Sequence, residues 1–150
     1  MVRLGDVCDV TSKNVNLKGN ELIDYIDIAS VDNMKKKVTG YTTICFKEAP
    51  SRARKIVVCN DIIISTVRPN LNAVAKIDFD TPNTTVVSTG FCVLRVKEDV
   101  SVDFIFHFCK SKRFIDNLVE NATGASYPAV SDKIIYDVNL PMLPLKKQIK

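Results

Sequence analysis

Apolar and polar positions alternate along most of the first two thirds of the chain, and alternation at period two marks strands. From Asp24 to Ser30, Ile26 and Ile28 fall on one face and Tyr25 and Asp27 on the other. Tyr41 to Phe46 is β-branched and aromatic. Lys55 to Cys59 and Asp61 to Val67 read as two strands, with Asn60 at the turn between them. Ile62-Ile63-Ile64 is apolar on both faces, which places its strand centrally in a sheet. Asn72 to Ile77, Thr85 to Ser88 and Phe91 to Val96 complete the set, punctuated by Thr81-Pro82-Asn83 and by Gly90.

The period then changes. Ser101 has the chemistry of an N-cap, and Asp103 in the first turn suits the positive end of a helix dipole. A helix is predicted from there towards Gly124, with Phe104, Phe108, Ile115, Leu118 and Val119 as its apolar face. A short helix starts at Ser131 and runs through Ile134 and Ile135, and Val138 to Leu140 is strand-like. The exit is proline-rich, Leu140-Pro-Met-Leu-Pro-Leu145, and Lys146 to Lys150 reads as the first turn of another helix. Strands first and helices later argue for an α+β fold. Turns too short for crossover helices make most strand pairs antiparallel.

Composition adds bounds. At 150 residues, 46% hydrophobic and 25% charged, the chain has the make-up of one ordinary globular domain. No apolar run approaches the roughly 20 residues of a membrane span, and the first residues lack the apolar core of a signal peptide, so a cytoplasmic protein is expected. Cysteines 8, 45, 59, 92 and 109 lie too far apart for metal knuckles and are odd in number, which implies reduced, mostly buried thiols. The net charge of +4 is unevenly spread. Residues 35–55 hold seven basic side chains against one acidic, a local excess suited to a polyanion.

Candidate chemistry is sparse. The one histidine, His107, sits between Phe106 and Phe108 with no nucleophile or orienting partner nominated beside it. Asp78 and Asp80, and Glu98 beside Asp99, are the acidic groups a metal-dependent nuclease would use, but each lies at a predicted turn. Glycine-rich nucleotide loops are absent, and no cofactor or metal is expected. The features suited to binding lie in predicted turns. They are Lys35, Lys36 and Lys37 between strands, Arg52 and Arg54 just before a strand, and Arg68-Pro69-Asn70-Leu71-Asn72 between two strands. Arginine bonds bidentately to guanine or phosphate, and asparagine pairs with an adenine edge. Arg52, Arg54, Arg68, Asn70 and Asn72 are therefore either base readers or phosphate clamps, while a basic patch facing an acidic protein is a further alternative.

The order of the motifs carries a resemblance. Leu4-Gly5-Asp6-Val7-Cys8, Tyr25-Ile26-Asp27-Ile28 and Ala49-Pro-Ser-Arg-Ala-Arg54 are followed by Asp61-Ile-Ile-Ile-Ser-Thr-Val-Arg-Pro-Asn70. Ser88-Thr-Gly-Phe91, Gly124-Ala-Ser-Tyr-Pro-Ala-Val-Ser131 and the exit to Leu145 complete the series. In this order the chain resembles the target recognition domain of Type I restriction–modification specificity subunits. The resemblance implies a non-catalytic, β-rich domain that reads one half of a split double-stranded DNA target, followed by a long helix. Here 1–144 would be the recognition domain and 145–150 the start of that spacer helix, so that the chain is a fragment or a half-subunit. The implied partners are the methyltransferase (modification) and restriction subunits, and a second copy or second half of the specificity subunit. Ser126 and Tyr127 would stand near a DNA phosphate.

Overall fold

Three consecutive isoleucines mark the middle of the fold. In the computed structural model, which describes residues 2–9, 17–124 and 128–141, Ile62, Ile63 and Ile64 are all buried. Successive side chains on a strand point to opposite faces. Ile62 and Ile64 accordingly join a core on one side of their strand, and Ile63 joins a different core on the other.

The described strands are β1 (Val2–Arg3), β2 (Cys8–Asp9), β3 (Leu22–Ile26), β4 (Val31–Asp32), β5 (Lys37–Val38) and β6 (Thr42–Cys45). They continue with β7 (Ala53–Ile56), β8 (Ile62–Ser65), β9 (Val74–Lys76), β10 (Thr84–Ser88), β11 (Phe91–Val96) and β12 (Asn139–Leu140). Helices α1 (Val102–Cys109), α2 (Lys112–Glu120) and α3 (Asp132–Tyr136) fall in the last third. Two four-stranded sheets, ordered β6-β3-β10-β7 and β2-β11-β8-β9, form the frame, and the pairs β1-β12 and β4-β5 flank it. The fold is α+β, and among the described pairs only β3 with β10 is parallel.

The layers follow from the alternation. Ile26 and Val87 of one sheet meet Ile63, Ala75, Phe91 and Val93 of the other between the sheets. Cys92 and Leu94 face away from that layer and pack with Ile62, Ile64, Ile105, Phe114, Leu118 and Ile135 under the helices. Ile23, Tyr25, Ala53 and Val86 form the outer face of the first sheet, and Leu17, Phe46 and Ala49 pack against it. Each fully buried isoleucine contributes on the order of 1.5–3 kcal/mol relative to exposure.

The alternating strand expected from Asp24 to Ser30 instead starts at Leu22 and ends at Ile26, and Ile23 to Ile26 are buried on both faces. The Asp27 carboxylate accepts from the Ser30 main chain at 3.1 Å and turns the chain into a 3-10 turn at Ile28–Ser30, so Ile28 lies outside the strand. The strand expected from Lys55 to Cys59 runs from Ala53 to Ile56. The single predicted helix is two. Ser101 caps the first as expected, accepting from Phe104 N at 3.2 Å. Ser111 then donates to the Phe108 carbonyl at 2.6 Å and accepts from Phe114 N at 3.2 Å, closing one helix and opening the next. That break resets the phase, so the buried stripe is Ile105, Cys109, Phe114 and Leu118, while Val119 is exposed. The short helix from Ser131 and the strand ending at Leu140 are present, and the strand pairs with β1. The predicted helix start at Lys146 lies outside the described residues. Among those described, no helix is long and apolar enough to cross a membrane.

Candidate nucleic-acid interface

Strand register decides which turns share an end of the molecule. The C-terminal ends of β3, β8 and β10 lie with the N-terminal ends of β7, β9 and β11, because Val87 stands beside Ile26, Ser88 opposite Ala53, Ile64 opposite Val74 and Phe91 opposite Ser65. At that end the main chain ties turn to turn. Thr89 N donates to Arg52 O at 2.8 Å, Thr66 N to Gly90 O at 2.8 Å, and Arg68 N to Pro128 O at 2.7 Å. Thr66 Oγ1 also donates to Gly90 O at 2.9 Å. A Cβ on Gly90 would sit 3.0 Å from Ile28 Cδ1, so a larger residue there would have to push the Ile28 side chain aside.

Arg68 itself has φ of 50°, in the left-handed region, at the entry of the 3-10 turn Pro69–Leu71. Pro69 is buried and anchors the turn, leaving Arg68 and Asn70 exposed. The β4–β5 hairpin is bound to the same turn. Asn33 Nδ2 donates to Leu71 O at 3.2 Å, and Lys36 Nζ donates to Asn72 O at 2.6 Å. The hairpin tip is set by Asp32, whose carboxylate accepts from Met34 N and Lys35 N at 2.9 and 3.1 Å. These two bonds hold the Asp32 carboxyl below its usual pKa.

The candidate side chains sort by what they touch. Lys35, Lys37 and Arg52 are exposed at this end. Lys37 opens β5, so it lies on a strand and not in the loop expected of it. Lys36 is half-buried; burial first, and Lys110 nearby second, push its ammonium pKa down. Asn72 is 5% exposed, and its Nδ2 donates to the Cys109 carbonyl at 2.9 Å. The Asn72 Nδ2 is thus held beneath α1, where the side chain braces the turn that presents Arg68 and Asn70. Arg54 lies on β7, not before it, and its guanidinium sits 5.2 Å from the Phe46 ring centroid. The basic run is also no single patch. Lys55 Nζ turns inward to Asp132 at 2.9 Å and Phe91 O at 2.7 Å. Lys47 packs against Gly19 beyond the other end of β6. Ser126 and Tyr127 lie outside the described residues.

Lys110, Asn33, Met34 and Thr89-Gly90 reach this end without having been picked from the sequence. Lys110 sits 4.3 Å over the Phe106 ring and is brought beside Lys36 only by the packing of the Arg68 turn against α2. His107 is exposed on α1. Asp78, Asp80 and Glu98 are exposed, and among the described residues no three His, Cys, Asp or Glu side chains gather where they would hold a metal ion. Burial pushes the Cys8 thiol up to about 12 and raises Cys92 and Cys109 as well, so these core thiols are protonated at neutral pH.

The whole chain, residues 1–150, matches the Type I restriction modification DNA specificity domain family. It is similar to the HsdS subunit from Thermoanaerobacter tengcongensis, with 34% identity and a TM-score of 0.86 over 98% of this chain and 38% of that one. A second structure, described as the structural basis of complex assembly and conformational transition of the type I R-M system, is 35% identical. Its TM-score is 0.86, over 97% of this chain and 38% of that one. This chain thus spans well under half the length of either. No curated protein sequence matches it. By the family match and these structural likenesses, the chain belongs to the Type I restriction modification DNA specificity domains.

Proposed function

We propose that this chain is a non-catalytic DNA reader that recognises one half of a split duplex target within a Type I restriction–modification assembly. The observation that carries it is the gathering of Lys35, Lys37, Arg52, Arg68 and Asn70 at one end of both sheets, on turns and a hairpin tied to each other by main-chain bonds and by the Asn33 and Lys36 side chains. Rigid elements hold contact groups more tightly than free loops do. Lysines suit phosphates, and Arg68 and Asn70 on the tightest turn suit base edges. Arg54 flanks the patch from β7. Ser126 and Tyr127, outside the described residues, stay in the proposal as groups near a phosphate on the strength of the family resemblance. In the same proposal 1–144 is the recognition unit and 145–150 opens a spacer helix. The methylating and restricting subunits, and a second copy or half of the specificity subunit, are its partners.

The test is titration of the 150-residue chain into labelled duplex at several salt concentrations. Cationic contacts release counterions, so affinity falls steeply as salt rises. Binding that ignores salt, or cleavage of DNA with Mg²⁺ that is lost on substituting Asp78, Asp80 or Glu98, overturns the proposal.

A further inference from the structure

One side chain at this end fits neither a phosphate clamp nor a core. Met34 is 85% exposed, at the tip of the β4–β5 hairpin and directly before Lys35, Lys36 and Lys37. Isolated apolar groups on a surface are ordinary. Met34 differs because its backbone is immobilised on both sides. Asp32 accepts from Met34 N and Lys35 N, Lys36 N donates to Asp32 O at 2.8 Å, and Lys36 holds a left-handed φ of 56°. Two bonds tie the hairpin to the Arg68 turn, where Leu71 is 47% exposed. The molecule thus holds an apolar tip rigidly in water, with lysines beside it and the Arg68 turn beneath it.

Resting on the proposed DNA-reading function, we infer that Met34 is a base-reading residue: the hairpin tip enters the major groove and its thioether packs on a thymine 5-methyl. The cations flanking it choose the occupant, since they match a duplex backbone and repel a basic protein. The major groove admits a two-stranded ribbon, and the thymine methyl is the apolar feature exposed on its base edges. Lys35 and Lys37 then fall on phosphates either side of the groove, and Leu71 extends the apolar contact. Lys36 turns down to Asn72 O and holds the hairpin to the turn beneath it.

The experiment is selection of bound sequences from a randomised duplex pool by the 150-residue chain and by its Met34→Ala and Met34→Leu variants. The parent enriches a short sequence in which thymine dominates at one position or more. Met34→Ala loses the preference at one such thymine and keeps the rest, with an unchanged salt dependence because no charge is removed. Met34→Leu keeps it, and replacing that thymine by deoxyuridine in the selected duplex weakens the parent several-fold but leaves Met34→Ala unaffected. If parent and Met34→Ala enrich the same sequence equally, or if deoxyuridine weakens both alike, the inference is overturned while the DNA-reading proposal stands. If the parent enriches no sequence at all, both are overturned.

Discussion

Asp61 is 2% exposed at its side chain, yet it is a carboxylate. Arg95 satisfies it bidentately, Nε to Oδ1 at 3.0 Å and an NH₂ group to Oδ2 at 2.8 Å, and Val58 N adds a third bond at 2.9 Å. Removing the arginine strands a buried charge, which typically costs about 3–5 kcal/mol. Arg95 is itself partly exposed, so water returns on its side and the loss falls at the low end. Arg95→Met should therefore lower stability by about 3 kcal/mol in urea melts, and Asp61→Asn, which keeps an acceptor for Val58 N, by less. Equal losses would show that the pair, not the stranded charge, sets the cost. Asp24 offers a pH counterpart. Burial raises its pKa, but bonds from Thr43 Oγ1 at 2.6 Å, Asn83 N at 2.8 Å, Thr81 and the Asn83 amide outweigh burial and leave the carboxyl below its usual value. Its folded pKa is thus below its unfolded value of about 3.9. The unfolded state binds the proton more readily, so this stability is present above that pH and lost as pH falls through the folded pKa. Asp24→Asn should flatten the acid limb of stability against pH below about 4. An unchanged acid limb would exclude Asp24 as a contributor.

At the scale of elements, the fold is assembled by caps and ties as much as by propensity. Ser101, Ser111 and Ser131 each cap the helix that follows, and Ser111 is the one that divides α1 from α2. Ser111→Ala removes both its bonds, and a lost N-cap costs about 1 kcal/mol. Hydrogen exchange should then speed at Phe114, the amide that Ser111 Oγ accepts from, with little change at Phe104, capped by Ser101. Uniform acceleration through both helices would mean they unfold as one unit. The β4–β5 hairpin has two residues in each strand and would not stand alone. Its bonds to Leu71 and Asn72 make it part of the Arg68 turn, which explains why a half-buried lysine is placed there at all.

For the whole molecule, the basic segment matters less as a run than as a set of destinations. Arg52→Ala and Arg68→Ala should each weaken DNA binding with the fold intact. A lost base contact costs about 1–3 kcal/mol at one position of the target, and a lost phosphate contact weakens all sequences alike. Lys55→Ala should instead reduce stability, because its ammonium bridges Phe91 O to Asp132 inside the frame. Thermal melts and duplex titrations on the same variants separate the two groups. Binding by Arg52→Ala and Arg68→Ala equal to the parent's would place the DNA surface elsewhere.

Local pattern determined what neighbouring residues can decide among themselves. The strand Phe91 to Val96, the central place of Ile62-Ile63-Ile64, the turn at Asn60 and the caps at Ser101 and Ser131 all depend on alternation, φ preference or a hydroxyl next to an amide. The motif order, spread over nearly the whole chain, was enough to point to the family. Only tertiary structure decided that β3 is buried on both faces, since Ile23 and Tyr25 are flanked by Ala53 and Val86 and packed against by Phe46 and Ala49, all from other parts of the chain. It also decided the fate of each candidate. Asn72 and Lys36 have the same side-chain chemistry as Asn70 and Lys35, and nothing local separates them. A carbonyl on α1 claims the Asn72 amide, and the Asn72 carbonyl claims Lys36, so these two build the surface that their neighbours present.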